Sequence, residues 1–166
     1  MIKSSGQNYN SGKKQEKEAD KYLRSQGFIR PTGKQKNNIV KAFASRPTFH
    51  KDLKVRAFDL VEKSIEFALD DPKKLYELVC EDSVILYELK SASATRLTPI
   101  NESWTGLGFT YSSNEDHNWK ELGDDLYKFI FVDCLRQRHI ILNKSDWLDK
   151  ARTTDTMSVW ITNPLA

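Results

Sequence analysis

The chain has 166 residues, a length that suits one domain with a hydrophobic core and gives no reason to assume two. Its formal net charge of +3 is unevenly distributed. The first 52 residues hold twelve Lys and Arg against four Asp and Glu, or +8, and the remainder is at −5. This asymmetry indicates a protein that binds a polyanion and holds a cation beside it, with ordinary solvated surface as the alternative.

Apolar runs in the sequence are short. None approaches the roughly 18 residues of a membrane span, and the N-terminus lacks the apolar core of a signal peptide. Cys80 and Cys134 have no metal-binding spacing and lie in the apolar contexts LVC and FVDC. This indicates buried free thiols in a reducing compartment. We therefore expect a cytoplasmic protein with no membrane partner.

The first elements are predicted to be a flexible segment and a helix. Residues 1–12 are polar and rich in Gly, Ser and Asn, which predicts a flexible N-terminal segment. A single domain is then expected over residues 13–166. Residues 13–26 favour a helix by propensity, with a sparse apolar side. Gly27 is expected to end that helix.

The next stretches are less regular. Residues 30–52 contain prolines, a glycine and much positive charge, which predicts a long basic loop with one short element. Residues 55–63 can form a strand with Asp59 inside it, or the start of a helix. Residues 73–82 are a helix candidate or one arm of a hairpin, and residues 83–92 are expected to form a strand.

The second half is predicted to continue a sheet. Residues 93–125 are expected to be irregular, because they contain Pro, Gly and a polar run. Residues 126–135 are predicted to form a buried strand and residues 138–143 its partner. A short helix capped by Ser145 and a strand at residues 157–162 follow. The sum is an α/β or α+β domain with a central mixed sheet.

The stretch VILYELKSAS, residues 84–93, ends an apolar strand on Glu88 and Lys90. Residues i and i+2 of a strand face the same side, so these two side chains project together. Two carboxylates on neighbouring strands suit Mg²⁺, with Mn²⁺ as an alternative ion, and such a metal activates water for phosphodiester hydrolysis. A lysine beside it orients the water or neutralises developing charge. A solvated strand edge is the competing interpretation.

These residues resemble the PD-(D/E)xK nuclease superfamily, which includes restriction endonucleases and archaeal Holliday-junction resolvases. A second stretch, GKKQEKEADKYLRSQGF (residues 12–28), is similar to the first helix of the resolvase-like branch, where a glycine, a glutamate, a leucine and a terminal Gly-aromatic pair recur at these intervals. The helix glutamate reaches the metal site in that branch. The resemblance therefore implies a metal-binding and catalytic role for Glu16, whose alternative is an exposed helix acid.

The resemblance also implies a metal-binding aspartate on the strand before E-x-K. Asp59 has the expected apolar context and is preferred, although it stands 29 positions before Glu88, so residues 64–82 would have to be looped out. Asp82, only six positions before Glu88, is the alternative, unless it is a simple turn acid. The proline that precedes this aspartate in the family is absent from both sites. The resemblance covers roughly residues 12–95.

The resemblance implies an α/β fold with a restriction-endonuclease-like core, in which helices flank a central mixed sheet. The implied function is a Mg²⁺-dependent endodeoxyribonuclease of restriction, repair or mobile-element type, with DNA as its partner. The other hypotheses are a catalytically inactive DNA-binding subunit with a nuclease-like fold, and an RNA-directed nuclease or toxin. Cutting both strands of DNA would indicate a homodimer.

Several further residues are candidates for contacts with nucleic acid. The basic residues best placed by sequence to contact phosphates are Lys13, Lys14, Lys34, Lys36, Lys41 and Arg46. Four aromatic residues are candidates either for stacking on splayed bases or for covering the core: Trp104, Phe109, Tyr111 and Trp119. The three histidines have no zinc-site spacing, and His139 is expected to be an ordinary strand residue.

Overall fold

The computed structural model describes residues 16–48, 52–92, 107–134, 136–148, 151–154 and 158–161. Helices and strands alternate through these ranges, which confirms the α/β class predicted from the sequence. Within them, no helix is long and apolar enough to cross a membrane. The predicted flexible segment 1–12 and the candidates Lys13 and Lys14 lie outside the described residues.

The described elements follow one another in a regular order. They are α1 (described over residues 16–25), β1 (Phe28–Ile29), α2 (Gly33–Ala44), β2 (Val61–Glu62), α3 (Pro72–Cys80), β3 (Leu86–Ala92), β4 (Leu107–Thr110), α4 (Ser113–Leu126), β5 (Tyr127–Asp133), β6 (Arg138–Leu142), α5 (Lys144–Leu148), β7 (Ala151–Thr154) and β8 (Ser158–Ile161). Two 3₁₀ turns, Val55–Ala57 and Lys63–Ala68, flank β2.

The central sheet is mixed, as predicted. Its strand order is β3-β5-β6, with β3 parallel to β5 and β5 antiparallel to β6. The antiparallel pair of β1 and β2 joins this sheet through a bridge between Leu60 and Tyr87. A parallel pair needs a crossover connection, and α4 lies in the segment that connects β3 to β5. Strands β4, β8 and β7 form a second, antiparallel sheet.

Helices cover both faces of the central sheet. Side chains of a strand alternate between faces, and the buried residues of β5 divide accordingly into two hydrophobic clusters. Phe129 packs in one cluster with side chains of α2, α3 and α4, whereas Ile130 packs in the other with Ala19 and Leu23 of α1. Glu88 lies opposite Phe129 in the β3–β5 register.

The predicted first helix and its glycine stop are confirmed where they are described. Ala19 and Leu23, one turn apart, are fully buried. The Gln26 N–H donates to the carbonyl oxygen of Leu23, and Gly27 follows with a φ of 90°. That left-handed conformation costs a residue without Cβ little, so glycine ends the helix there.

The long basic loop predicted for residues 30–52 is wrong, because most of it is α2. Thr32 caps this helix, and its side chain and that of Gln35 bond each other's backbone N–H in a capping box. Gly33 occupies the first helical position, where a glycine does not interrupt the helix. Ile39 and Phe43 are buried one turn apart, and this apolar stripe stabilises the helix.

The segment around Asp59 is extended rather than helical. Phe58 has extended backbone angles, and the backbone N–H groups of Asp59 and Leu60 both donate to the carbonyl oxygen of Tyr87. This supports the strand interpretation of the Asp59 segment. For residues 73–82 the helix interpretation is confirmed, since Asp71 caps α3.

The irregular structure predicted for residues 93–125 is also wrong where that range is described, because β4 and α4 lie there. Ser112 and Glu115 form a capping box that starts α4, a signal that the polar composition of the segment concealed. The predicted cap at Ser145 is wrong too. Ser145 lies inside α5, and its hydroxyl donates to the Asp124 carboxylate.

The cysteine prediction is only partly correct. Cys80 and Cys134 are not joined in a disulfide, but Cys80 is exposed and Cys134 is only partly buried. Cys80 is the last residue of α3, whose buried residues are Leu75 and Val79. One position after Val79, the side chain turns about 100° away from the core, because a helix has 3.6 residues per turn.

Candidate functional site

Glu88 and Lys90 project from the same face of β3, as the alternation of a strand requires. Lys90 Nζ lies 3.2 Å from Glu88 Oε1. Both side chains are about nine-tenths buried, with exposed fractions of 11% for Glu88 and 10% for Lys90. A solvated edge would leave both side chains in water, so the competing interpretation of YELK as an exposed edge is wrong.

A second carboxylate, which the sequence did not indicate, completes the environment of Lys90. Lys90 Nζ lies 2.9 Å from Glu115 Oε2 and 2.7 Å from the carbonyl oxygen of Thr110. Glu115 is itself buried, and its Oε2 also accepts the backbone N–H of Ser112. The capping box that starts α4 therefore also fixes the carboxylate that holds the lysine. The S-x-x-E spacing was the signal that could have identified Glu115.

Asp59 is held against the strand that carries Glu88 and Lys90. Its Oδ2 accepts the backbone N–H of Leu89 at 3.3 Å. Its Oδ1 lies 2.7 Å from Arg30 Nη1 and 3.8 Å from Lys36 Nζ. Asp59 therefore reaches this site across 29 positions of sequence.

Asp82, the alternative aspartate, lies elsewhere. It follows α3 in a turn with a φ of 55°, and its side chain is 58% exposed. Its carboxylate pairs with Arg46 Nη1 at 2.8 Å. In the described part of the chain, its side chain makes no contact with Glu88 or Lys90. The structure thus brings Asp59, and not Asp82, next to the E-x-K strand.

Arg30 connects α1 to this site, another role that the sequence did not indicate. Its guanidinium lies 2.9 Å from Asp20, 2.7 Å from Asp59 and 3.2 Å from Glu16. Burial lowers the pKa of Arg30, but the hydrogen bonds that its guanidinium donates to Asp20 and the charges of Asp59, Asp20 and Glu16 raise the pKa by more, so the net shift is upward. Glu16, whose side chain is 51% exposed, reaches Asp59 through Arg30.

The Glu88 carboxyl group carries the strongest chemical signal of the site. Its Oε2 is buried and has no hydrogen-bond partner among the described residues. Burial, followed by the charge of Asp59, raises the pKa of Glu88 to about 8, with Lys90 opposing the shift and Glu115 adding to it. At neutral pH this carboxyl therefore keeps its proton unless another cation approaches.

A divalent cation fits this arrangement. Within the described residues, no group of three or more His, Cys, Asp and Glu side chains is arranged to hold a metal. Mg²⁺, however, usually takes only one or two protein carboxylates and fills its shell with water and substrate phosphate. Asp59 and Glu88 are the two carboxylates that would hold it, and the unpartnered Oε2 of Glu88 is the free ligand atom.

The net charge of the site is compatible with a bound divalent cation. The linked side chains comprise five acids and three bases, namely Glu16, Asp20, Asp59, Glu88, Glu115, Arg30, Lys36 and Lys90. With every group ionised, this set carries −2. A divalent cation would neutralise that charge and remove the reason for Glu88 to hold a proton.

The candidate phosphate contacts are divided between surface and interior. Lys34 is 79% exposed and Lys41 is also exposed. Lys36 instead points inward and donates to the carbonyl oxygen of Phe58, and burial lowers its pKa. The Arg46 side chain is only 16% exposed and is bound to Asp82. Lys34 and Lys41 are therefore the described candidates that can meet a phosphate directly.

The aromatic candidates that are described cover the core. Phe109 packs edge-to-face on Phe131 and Trp147. Tyr111 and Trp119 lie against the ammonium group of Lys144, at 4.9 and 3.9 Å from their ring centres. This supports packing rather than base stacking for these side chains. Trp104 lies outside the described residues, and His139 is a residue of β6, as expected.

Comparison with known proteins adds nothing to this site. No protein-family model, curated protein or solved structure matches the chain. Function is therefore inferred from the placement of Asp59, Glu88, Lys90 and Glu115.

Proposed function

We propose that the protein is a Mg²⁺-dependent endodeoxyribonuclease with a restriction-endonuclease-like core. One observation carries this proposal: the buried Glu88 carboxyl group has an unpartnered oxygen, next to Asp59 from the neighbouring segment and Lys90 on the same strand face. A buried polar atom without a partner costs about 1–3 kcal/mol. A site that keeps such an atom needs a reason, and metal binding supplies one.

The order of the elements supports the proposed core. A helix that bears Glu16 packs on one face of the sheet, and the Asp59 segment pairs antiparallel with β3. The E-x-K strand then lies parallel to β5, with α4 in the connection. This placement of the first helix, the aspartate segment and the E-x-K strand supports the proposed core.

The roles of the carboxylates follow from their positions. Asp59 and Glu88 would hold the metal, and Arg30 fixes one oxygen of Asp59 at 2.7 Å. When bound, Mg²⁺ would polarise a phosphate oxygen and lower the pKa of a bound water. The low exposure of Glu88 and Lys90 strengthens their electrostatic interactions, because little water screens them.

Lys90 has all three of its N–H donors engaged. Its ammonium group lies within hydrogen-bonding distance of Glu88, Glu115 and the Thr110 carbonyl oxygen. To orient a water or to neutralise charge on a phosphate, Lys90 must therefore release one partner. Glu88, at 3.2 Å, is the longest of these contacts, and it is also the group that a metal would engage. Glu115 and Thr110 would keep the lysine in place during that exchange.

A second candidate function is a DNA-binding subunit that has lost turnover. One observation favours it: both oxygens of Asp59 already have partners, one on Arg30 and one on the Leu89 amide. A carboxylate neutralised by a guanidinium binds a metal less readily, since the arginine would have to move or share it. This second function keeps the same fold and the same exposed lysines, Lys34 and Lys41.

The two functions are separated by a substrate test. Purified protein is incubated with supercoiled plasmid, four-way-junction DNA and structured RNA, each with Mg²⁺, Mn²⁺ or EDTA. The proposed nuclease should cut DNA with either metal and cut nothing in EDTA. Binding of DNA without cleavage under every condition would favour the inactive subunit. Cleavage of RNA alone would assign the site to an RNA-directed nuclease.

A further inference from the structure

A groove between α2 and α3 lies outside the site described above. It has a volume of about 600 Å³, within the range of small-ligand sites. Its walls are Asn38, Lys41 and Ala42 of α2 and the C-cap residue Ser45, with Pro72, Lys73 and Tyr76 of α3. The inward-facing Lys36 lies on α2 too, but it is not part of this wall. The same helix thus serves the carboxylate site and the groove with different residues.

The groove combines free positive charge with a flat apolar surface. Lys41 and Lys73 are exposed, and neither pairs with a carboxylate of the described residues. Tyr76 is 36% exposed and contributes an aromatic ring to the wall. Phosphate oxygens bind lysine ammonium groups, and nucleic-acid bases stack on aromatic rings.

The remaining polar groups fit the same kind of ligand. The Asn38 side-chain NH₂ donates to the carbonyl oxygen of Leu69 at 3.1 Å, which fixes the amide and leaves its Oδ1 as an acceptor for a base N–H. Asp71 adjoins this wall, one position before Pro72. Its carboxylate accepts hydrogen bonds from the backbone N–H groups of Lys73 and Lys74, so it caps the N-terminus of α3.

We propose that this groove binds a nucleotide of single-stranded DNA, with Lys41 and Lys73 on the phosphates and the base against Tyr76. This ligand rests on the proposed function, because a nuclease must hold its strand away from the cut as well as at it. An unpaired nucleotide fits better than a duplex, since a base can reach Tyr76 only when it is unstacked. We therefore expect the substrates of the proposed nuclease to contain strands with unpaired bases.

Binding is measured by fluorescence anisotropy of a labelled 20-nucleotide single strand. The Glu88→Gln protein is used in EDTA, so that the strand is not cut during the measurement. The double variant Lys41→Gln/Lys73→Gln should weaken binding and reduce the slope of log K against log salt by about 1.4, or about 0.7 per lost phosphate contact. Tyr76→Leu should weaken binding about tenfold and leave that slope unchanged. Lys21→Gln/Lys63→Gln removes two exposed charges outside the groove and is the matched control.

The outcomes separate this proposal from the proposed function. Equal losses in both double variants, no loss with Tyr76→Leu, or equal competition by a poly-glutamate peptide would overturn the groove assignment. If the wild-type protein cuts no DNA but the groove variants bind the single strand in the expected pattern, the groove assignment is supported and the nuclease proposal is contradicted. If the wild-type protein cuts DNA but the groove variants bind the single strand as tightly as the unsubstituted groove, the nuclease proposal is supported and the groove assignment is contradicted.

Discussion

The carboxylate of Asp59 accepts a hydrogen bond from the backbone N–H of Leu89, at 3.3 Å. Leu89 is the central residue of the E-x-K motif, so this bond ties the aspartate to the strand position between Glu88 and Lys90. The residues between Asp59 and Glu88 form β2, a 3₁₀ turn and α3. Ordered, mostly helical structure therefore accounts for the long separation of Asp59 and Glu88 in sequence.

Two substitutions test which aspartate would hold the metal of the proposed nuclease. Asp59→Asn should abolish most DNA cleavage and require higher Mg²⁺ to recover any, because an amide is a weaker ligand for a hard cation. Asp82→Asn should leave cleavage unchanged, since its carboxylate is exposed and bound to Arg46. Cleavage rates over a Mg²⁺ titration measure both effects. Loss of activity in Asp82→Asn alone would contradict the assignment of Asp59.

Lys90 should be required for turnover rather than for metal binding. Lys90→Ala is expected to reduce the cleavage rate by about 10²–10⁴-fold, because the attacking water or the phosphate loses its partner. Single-turnover kinetics at saturating Mg²⁺ measure the chemical step. Lys63→Ala, at an exposed position, is the matched control and should be unaffected. A Lys90→Ala protein that cuts at the wild-type rate would remove the lysine from the mechanism.

Glu115 should act through Lys90. Glu115→Gln keeps an oxygen for the Ser112 N–H but removes the charge that holds the ammonium group at 2.9 Å. We expect kcat to fall by about 10–100-fold with little change in KM, as for other residues that orient a catalytic group. Glu77→Gln, an exposed acid on α3, is the control. A change in KM alone would instead indicate that Glu115 contacts the substrate.

Arg30 and Glu16 should differ in their effects on stability. Arg30→Gln leaves Asp20 and Asp59 without their guanidinium partner, and we expect it to lower the free energy of unfolding by about 1–3 kcal/mol. Glu16→Gln should cost less than about 1 kcal/mol, because its ion pair is half exposed. Its effect on cleavage should be intermediate, since it acts on Asp59 through Arg30. Urea unfolding and cleavage rates check both variants, and equal stability losses would contradict this ranking.

Local patterns in the sequence predicted the parts of the fold that depend on neighbouring residues. The continuous apolar run of β5 predicted a buried strand, and Gly27 predicted the end of α1. The period of two placed Glu88 and Lys90 on one face. Each of these features is encoded within a few positions, so it can be read without knowledge of the tertiary structure.

Long-range contacts explain what the sequence did not reveal. Glu115 and Lys90 are separated by 25 positions, and they meet because α4 lies in the connection between two parallel strands. Arg30 and Asp59 are separated by 29 positions and meet across the β1–β2 pair. Neither contact leaves a periodic signal. Helix α2 was missed for a different reason, since the prolines, the glycine and the positive charge of its segment indicated a loop.

The stability of the protein should fall as pH rises between the ordinary Glu88 pKa of 4.5 and about 8. Over this window the folded protein keeps the Glu88 proton and the unfolded chain has lost it, so each unit of pH favours unfolding. We expect a loss on the order of a few kcal/mol, measured by urea unfolding in EDTA at pH 5 and pH 8. Glu88→Gln should remove this pH dependence, and Glu77→Gln should retain it. An identical pH dependence in all three proteins would contradict the raised pKa.

Cleavage of supercoiled plasmid by wild type, Glu88→Gln and Glu77→Gln over a range of Mg²⁺ concentrations tests the central claim most directly. Glu88→Gln keeps the size of the side chain but removes the negative charge that the metal needs, so it should cut no plasmid at any Mg²⁺ concentration while still binding DNA. Glu77→Gln should cut like wild type. Full Mg²⁺-dependent activity in Glu88→Gln would contradict the account, because the buried carboxylate would then have no part in the reaction.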